Sequence, residues 1–300
     1  MTIASEAPAR QERLLVATRR LRRRALSDRR WSNVALYIGG SIVVLVVLAG
    51  LLAPWISPYP PNELDLTATL QPPSAEHFFG TDELGRDVFS RVLHGIRLDM
   101  AIVLVITYVP LLVGVTLGMI AGYFGGWVDT VVNRAVDIVM AFPFLVVVIA
   151  VVAITGPGLV GIFIGVLSVG WALYARLARS EMLVIREQQY MLAAKGLGYS
   201  TSRILGRHAV PNLIRSPLVF SVADIVLNLL LIAGVSYLGL GVQAPTAELG
   251  VIVADGQGHL RVGWWITTLS GLVLVTIGVG FSMLGDALAD RLGEELRLTV

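Results

Sequence analysis

Long stretches without a charged residue dominate the chain: Trp31 to Asn62, Met100 to Val128, Ile138 to Ala175, Ile225 to Ala247 and Val262 to Gly285. A helix rises 1.5 Å per residue and the hydrocarbon core of a bilayer is about 30 Å thick, so about 20 mostly apolar residues make one crossing. The third stretch is long enough for nearly two crossings, and Gly156-Pro157-Gly158 in its middle reads as a tight turn. Starting the third crossing a few residues before Ile138 gives both helices around that turn full length. The pattern predicts an all-α polytopic membrane protein with six transmembrane helices, over 33–54, 99–122, 131–154, 158–180, 216–242 and 264–287.

Composition strengthens this reading. With 55% hydrophobic and 15% charged side chains, and a mean hydropathy of +0.76, the chain lies outside the soluble globular range. The first apolar stretch is too long for a signal-peptide core and contains no small-residue cleavage site, so it reads as a retained first helix. A net charge of +2 conceals a strong asymmetry, with Arg13, Arg19, Arg20, Arg22, Arg23, Arg24, Arg29 and Arg30 crowded before the first span. This basic segment is local and does not indicate a nucleic-acid surface.

Basic flanks stay on the cytoplasmic side of a membrane. Residues 1–30 are therefore expected inside, and an even number of spans returns the tail 293–300 to the same side. The segment between spans four and five, with Arg176, Arg179, Arg186, Lys195, Arg203, Arg207 and Arg215, agrees independently. On the other side, residues 54–98 carry six prolines in their first half and several acids, while 243–263 is short and mixed. The chain divides into the Arg-rich segment 1–30, a first helix with its outward loop over 31–98, a five-helix core over 99–292, and the tail. The long outward loop has room for a docking partner.

An energy source is missing. Lys195 is the only lysine, and Ala194 precedes it where a Walker A loop needs glycine. Deep ionisable groups, which an ion-coupled carrier keeps because a charge in lipid is costly, are few. Asp129, Arg134 and Asp137 gather at the start of span three, and Asp224 lies about two turns into span five. Helix anchoring and packing account for these, with a polar pathway as the other reading. No His-Glu-x-x-His or Gly-x-Ser-x-Gly pattern supports hydrolysis. The four histidines lack ligand-like spacing and cysteine is absent, so no metal site is expected.

The most informative segment is Tyr190 to Gly198, expected to form a cytoplasmic helix. Tyr190, Ala193, Ala194, Leu197 and Gly198 recur at helical spacing and make a mostly small face. Such a face admits another protein's backbone closely. A surface helix lying on the bilayer, or one folded on its own bundle, would show the same period.

The order Ala193-Ala194, then Gly198, then Pro211-Asn212 resembles the cytoplasmic coupling motif of bacterial binding-protein-dependent ABC permeases. The resemblance extends to Phe79-Gly80-Thr81-Asp82-Glu83-Leu84-Gly85-Arg86-Asp87-Val88, Gly122-Tyr123-Phe124-Gly125-Gly126, Ala141-Phe142-Pro143 and Tyr174-Ala175-Arg176-Leu177. It continues through Arg207-His208, Ser236-Tyr237-Leu238-Gly239-Leu240-Gly241 and Gly285-Asp286. Over roughly residues 31 to 292 the chain resembles the C-type permease of dipeptide, oligopeptide and nickel importers, with a type I ABC importer permease fold.

The resemblance implies a non-catalytic subunit of the bacterial inner membrane with both termini cytoplasmic. It would pair with a homologous B-type permease, sit on one or two cytoplasmic ATPase subunits that hold ATP and magnesium, and receive solute from an extracytoplasmic binding protein. ATPase coupling would fall on Tyr190, Leu192, Ala193, Ala194, Lys195, Leu197, Gly198, Arg207, His208 and Pro211. Partner docking would fall on Gly80, Thr81, Asp82, Gly85, Arg86 and Asp87. The chain itself would hold no cofactor. Peptides are the leading cargo, with nickel chelates, haem or other small solutes as alternatives. An ion-coupled carrier and a receptor-like scaffold remain as readings from other classes. Two departures stand out: Leu192 replaces the usual glutamate of the coupling motif, and Ile232 stands where an acid commonly precedes Ser-Tyr-Leu-Gly.

Overall fold

In the computed structural model the backbone is described over residues 32–298 and the side chains over 32–292. The Arg-rich segment 1–30 and the side chains of the tail 293–300 lie outside the described residues. Five helical stretches are long and apolar enough to cross a membrane. They are α1 (Ser32–Ile56), α2 (Val88–Phe124), the pair α5 (Leu159–Val169) and α6 (Trp171–Ile185), α8 (Arg215–Tyr237), and α10 (Trp264–Leu298). The short α7 (Gln189–Gly196) and α9 (Leu249–Asp255) sit at opposite ends of the bundle.

The expected third crossing is not one helix. It is α3 (Gly126–Met140) followed by α4 (Phe144–Thr155), bent by 79°. Pro143 causes the break: it donates no amide, and its ring drives the residue before it out of helical geometry. Counted as one, the bent pair makes the sixth span. The Gly156-Pro157-Gly158 turn is as read, with φ of +91° at Gly156 and +129° at Gly158, conformations that cost glycine nothing. It folds α5 back along α4.

Two boundaries move. The second crossing starts at Val88, eleven residues before the expected 99, because Asp87 caps the helix by accepting from the Ser90 amide at 2.7 Å. Residues 243–263, expected as a short loop, contain α9. Glu248 caps it, accepting from the amides of Gly250 at 2.9 Å and Val251 at 2.8 Å.

α2 packs along α6 through a stripe of small residues. A Cβ at Gly114 or Gly118 would overlap the carbonyl oxygens of Trp171 and Ala175, and one at Gly122 would lie 2.8 Å from Met182 Cβ. Gly161 and Gly165 do the same for α5 against α4, where Cβ atoms would meet the Cα of Val152 and Val148 at 3.2 Å. Without a hydrophobic driving force between helices in lipid, such close backbone packing is what holds them together. One core cluster joins α2, α4, α5, α8, α9 and α10. A second fills the end beneath α7.

Candidate functional site

The segment after α6 is built on that second cluster. Met191 and Ala194 point inward from α7, fully or nearly fully buried with Tyr174, Met182 and Leu213. The ammonium of Lys195 stands 4.9 Å over the Tyr123 ring, and the Arg186 guanidinium donates to the Gly122 carbonyl at 2.9 Å. Lys195 thereby ties α7 to the end of α2, and Arg186 ties the end of α6 to the same place. Leu197 caps it, and Gly198 turns the chain at φ +74°.

The expected small face divides. Ala194 belongs to the chain's own core, whereas Tyr190, Ala193 and Leu197 face outward and Leu192 joins them at 50% exposure. The free face is thus larger and more apolar than the alanine and glycine pattern indicates. Asn212 ties the returning chain to it, donating to the Tyr190 hydroxyl at 3.2 Å and to the His208 carbonyl at 2.9 Å. Partial burial raises the Tyr190 hydroxyl above its ordinary range, so it stays protonated. His208 stacks on Tyr199, while Arg207 and Pro211 are exposed. Residues 204–209 form a widened π turn. It directly precedes Pro211, which offers no amide to the preceding turn.

At the opposite end the six outward-loop residues fold inward. Thr81 and Asp87 form an antiparallel bridge, with Gly80 and Gly85 at φ +71° and +73°. A side chain at Gly85 would collide with the Asp65 carbonyl. Asp82 accepts from the amides of Leu84 at 2.9 Å and Arg86 at 3.0 Å, and from Arg86 Nε at 2.6 Å. Arg86 and Arg91 both reach Asp255 at the end of α9, at 3.2 and 3.4 Å. Burial raises the Asp255 carboxyl, opposed by these two guanidinium groups. Trp265 Nε1 donates to the Thr81 carbonyl at 3.1 Å. Thr81, Asp82, Arg86 and Asp87 are buried, so the motif builds a rigid platform whose exposed residues are Glu83 and Leu84.

Between these ends, the bend at Pro143 opens a cavity of about 580 Å³. Aromatic and aliphatic side chains such as Ile106, Phe142, Phe144 and Leu231 line it, together with Tyr174, Asp224 and Asn228. The Tyr174 hydroxyl donates to Asp224 Oδ2 at 2.8 Å, and Asn228 Nδ2 donates to the same oxygen at 3.1 Å and to Thr107 Oγ1 at 2.9 Å. Its charge inside a predicted span marks Asp224 in the sequence, but not this cluster, since its members lie on three helices. A second missed feature is Asp99 beside Glu248, both fully buried. Asp99 is a lone acid at the edge of an apolar run, and only that isolation marks it in the sequence. Among the described residues no group of three or more His, Asp or Glu side chains is placed to hold a metal ion.

Comparisons with known proteins agree with this architecture. The family described as binding-protein-dependent transport system inner membrane component matches residues 114–296. The N-terminal transmembrane domain of oligopeptide transport permease C matches residues 31–73. The chain is 38% identical to a probable D,D-dipeptide transport system permease protein of Escherichia coli K12, covering 84% of each chain. It is 38% identical to the oligopeptide transport system permease protein of Bacillus subtilis 168, over 89% of this chain and 87% of that one. It is 36% identical to the nickel transport system permease protein of Escherichia coli K12, over 89% of this chain and 95% of the relative.

Proposed function

The chain belongs to the binding-protein-dependent transport system inner membrane components, and from that premise we propose that it forms half of the translocation pathway of an ABC importer for peptides. It is a membrane-spanning, non-catalytic permease subunit. The other half of the pore would be a homologous B-type permease. ATP and magnesium would be held by one or two cytoplasmic ATPase subunits, and solute would arrive from an extracytoplasmic binding protein. The termini and α7 would then lie on the cytoplasmic side, and the platform around Asp82 outside.

The observation that carries the coupling role is the two-sided character of α7. Its inner side, Met191 and Ala194, is buried in the core cluster shared with α2, α6 and the π turn, and its outer side offers Tyr190, Leu192, Ala193 and Leu197 to a partner. A helix held this way transmits force instead of yielding. ATP binding shifts the assembly between inward-facing and outward-facing states by its differential affinity for the two. The glycine-lined contact of α2 with α6 lets those helices and α7 move as one body. Docking of the binding protein passes to the exposed rim of the outward loop, with the buried Gly80, Thr81, Asp82, Gly85, Arg86 and Asp87 as its frame.

Ala193→Arg tests the reading. Ala193 is exposed, so the variant folds, and ATPase co-purification and ATP-driven peptide uptake should both be lost. Retention of both would remove α7 from the coupling role. Similarity to a nickel permease favours nickel chelates as a second cargo, which competition of nickel against labelled dipeptide uptake distinguishes. Uptake that persists without ATPase subunits would point to an ion-coupled carrier instead.

A further inference from the structure

The Asp224 cluster has a chemistry that packing does not require. Both hydrogen bonds to its carboxyl, from Tyr174 and Asn228, converge on Oδ2. Among the described residues none donates to Oδ1, and Asp224 lines the cavity. Among the described residues Asp224 is the only acid on the cavity wall, and no arginine, lysine or histidine lines it. An ionised group in an apolar, membrane-embedded wall is costly without a counter-charge. A hydrogen-bond acceptor for Tyr174 alone would be served by a neutral asparagine. The two donors fix the carboxyl's orientation and leave its other oxygen without a hydrogen bond among the described residues.

An occupant that carries a positive charge would supply the missing counter-charge. The cavity volume of about 580 Å³ falls among small-molecule sites, about 300 to 1,000 Å³. Its remaining surface, including Phe142, Phe144 and Leu227, suits apolar side chains of varied shape. The amino-terminal end of a free peptide places one ammonium group next to a variable side chain, which matches this division. Resting on the peptide-importer reading above, we propose that Asp224 holds the α-ammonium group of a transported peptide, with Tyr174 and Asn228 as positioning residues and the aromatic walls accepting its side chains.

The chain contains no cysteine, so a single thiol placed on the cavity wall by Leu227→Cys can report occupancy. Leu227 is 61% exposed. In the assembled complex, without ATP or binding protein, alkylation of that thiol is measured against added dialanine and N-acetyl-dialanine. Dialanine should protect it, and N-acetyl-dialanine, which lacks the charge, should need a concentration about tenfold higher or more, the usual worth of a charge-assisted hydrogen bond. Asp224→Asn should abolish the difference and Asp224→Glu should retain it. Equal protection by the two compounds in the protein with Asp224 intact, or no protection by dialanine, overturns the proposal even where Asp224→Asn fails to assemble. Loss of ATP-driven uptake of all peptides by the unaltered complex would instead overturn the importer reading, because the protection assay uses neither ATP nor transport.

Discussion

Glu248 and Asp99 hold one helix terminus between them. Glu248 accepts from the second and third amides of α9, and Asp99, on α2, accepts from the Leu249 amide at 3.3 Å. Both carboxyls are fully buried and in contact, with Asp99 Oδ1 otherwise unpartnered. Burial is the main cause that raises the Glu248 carboxyl, against the lowering donations of Gly250 and Val251. A carboxyl raised in the folded state binds more protons there than in the unfolded chain. The contribution of Glu248 to stability should therefore be fully present below the ordinary glutamate value of 4.5 and be lost as pH rises from it through the raised value. Thermal unfolding of the purified complex across that window should show the slope, and Glu248→Gln should flatten it. An unchanged slope in the variant would assign the pH dependence elsewhere.

The glycine stripe of α2 yields a contrast within one residue type. Gly118 is pressed onto the Ala175 backbone, which cannot withdraw, whereas Gly40 on α1 has open space for 4 Å around the point where a Cβ would stand. Gly118→Val should cost about 1 to 3 kcal/mol or more by overpacking. Gly40→Ala should be neutral, or stabilising by up to about 1 kcal/mol through helix propensity. Melting temperatures of the two variants in detergent check the pair, and equal effects would contradict the α2 to α6 packing.

How much of this was legible in the sequence depends on range. The crossings follow from local hydropathy because lipid demands about 20 apolar residues wherever the backbone passes. The Gly156-Pro157-Gly158 turn is likewise local. Pro143 was visible, but the 79° bend it produces depends on how α3 and α4 pack, which hydropathy does not encode. The acids and arginines of the outward loop look like a docking surface, yet Asp82 and Arg86 turn inward because Asp255, distant in sequence, completes their charge pairing. In the same way the small face of α7 was readable, but not that Ala194 is consumed by the chain's own core.

Arg179 grips Asp129 through both Nε and Nη2, the latter at 2.6 Å, and Asn133 donates to the same carboxyl at 2.6 Å. This fork joins α6 to the first turn of α3, at the end of that helix away from the bend at Pro143, and a bidentate geometry of this kind exceeds an ordinary surface pair. Asp129→Ala should lower stability by about 1 to 2 kcal/mol and loosen the start of α3 on α6, which the Arg176–Asp137 pair and the Val136, Ala172 and Ala175 contact still hold farther along. A double-mutant cycle with Arg179→Met measures the pairing energy, and a coupling near zero would show that the fork contributes nothing to holding the bent span.

Leu192 is where α7 departs from the coupling motif that it resembles, and its environment predicts the consequence. The side chain is half exposed and continuous with Tyr190 and Leu197, the latter 72% exposed. Within the chain nothing depends on it, so Leu192→Glu should change stability by no more than about 0.5 kcal/mol. Docking is another matter. An ATPase surface fitted to a leucine would have to desolvate a carboxylate without an assigned cation, so the affinity of the ATPase for the permease pair should fall about tenfold or more. Met191→Glu, one residue away but buried, should instead disrupt the seat of α7 and lower the melting temperature as well. Binding titrations and thermal denaturation of both variants separate the two effects. Tighter ATPase binding by Leu192→Glu would mean that the partner keeps a cation at this point, and that Leu192 leaves it unpaired.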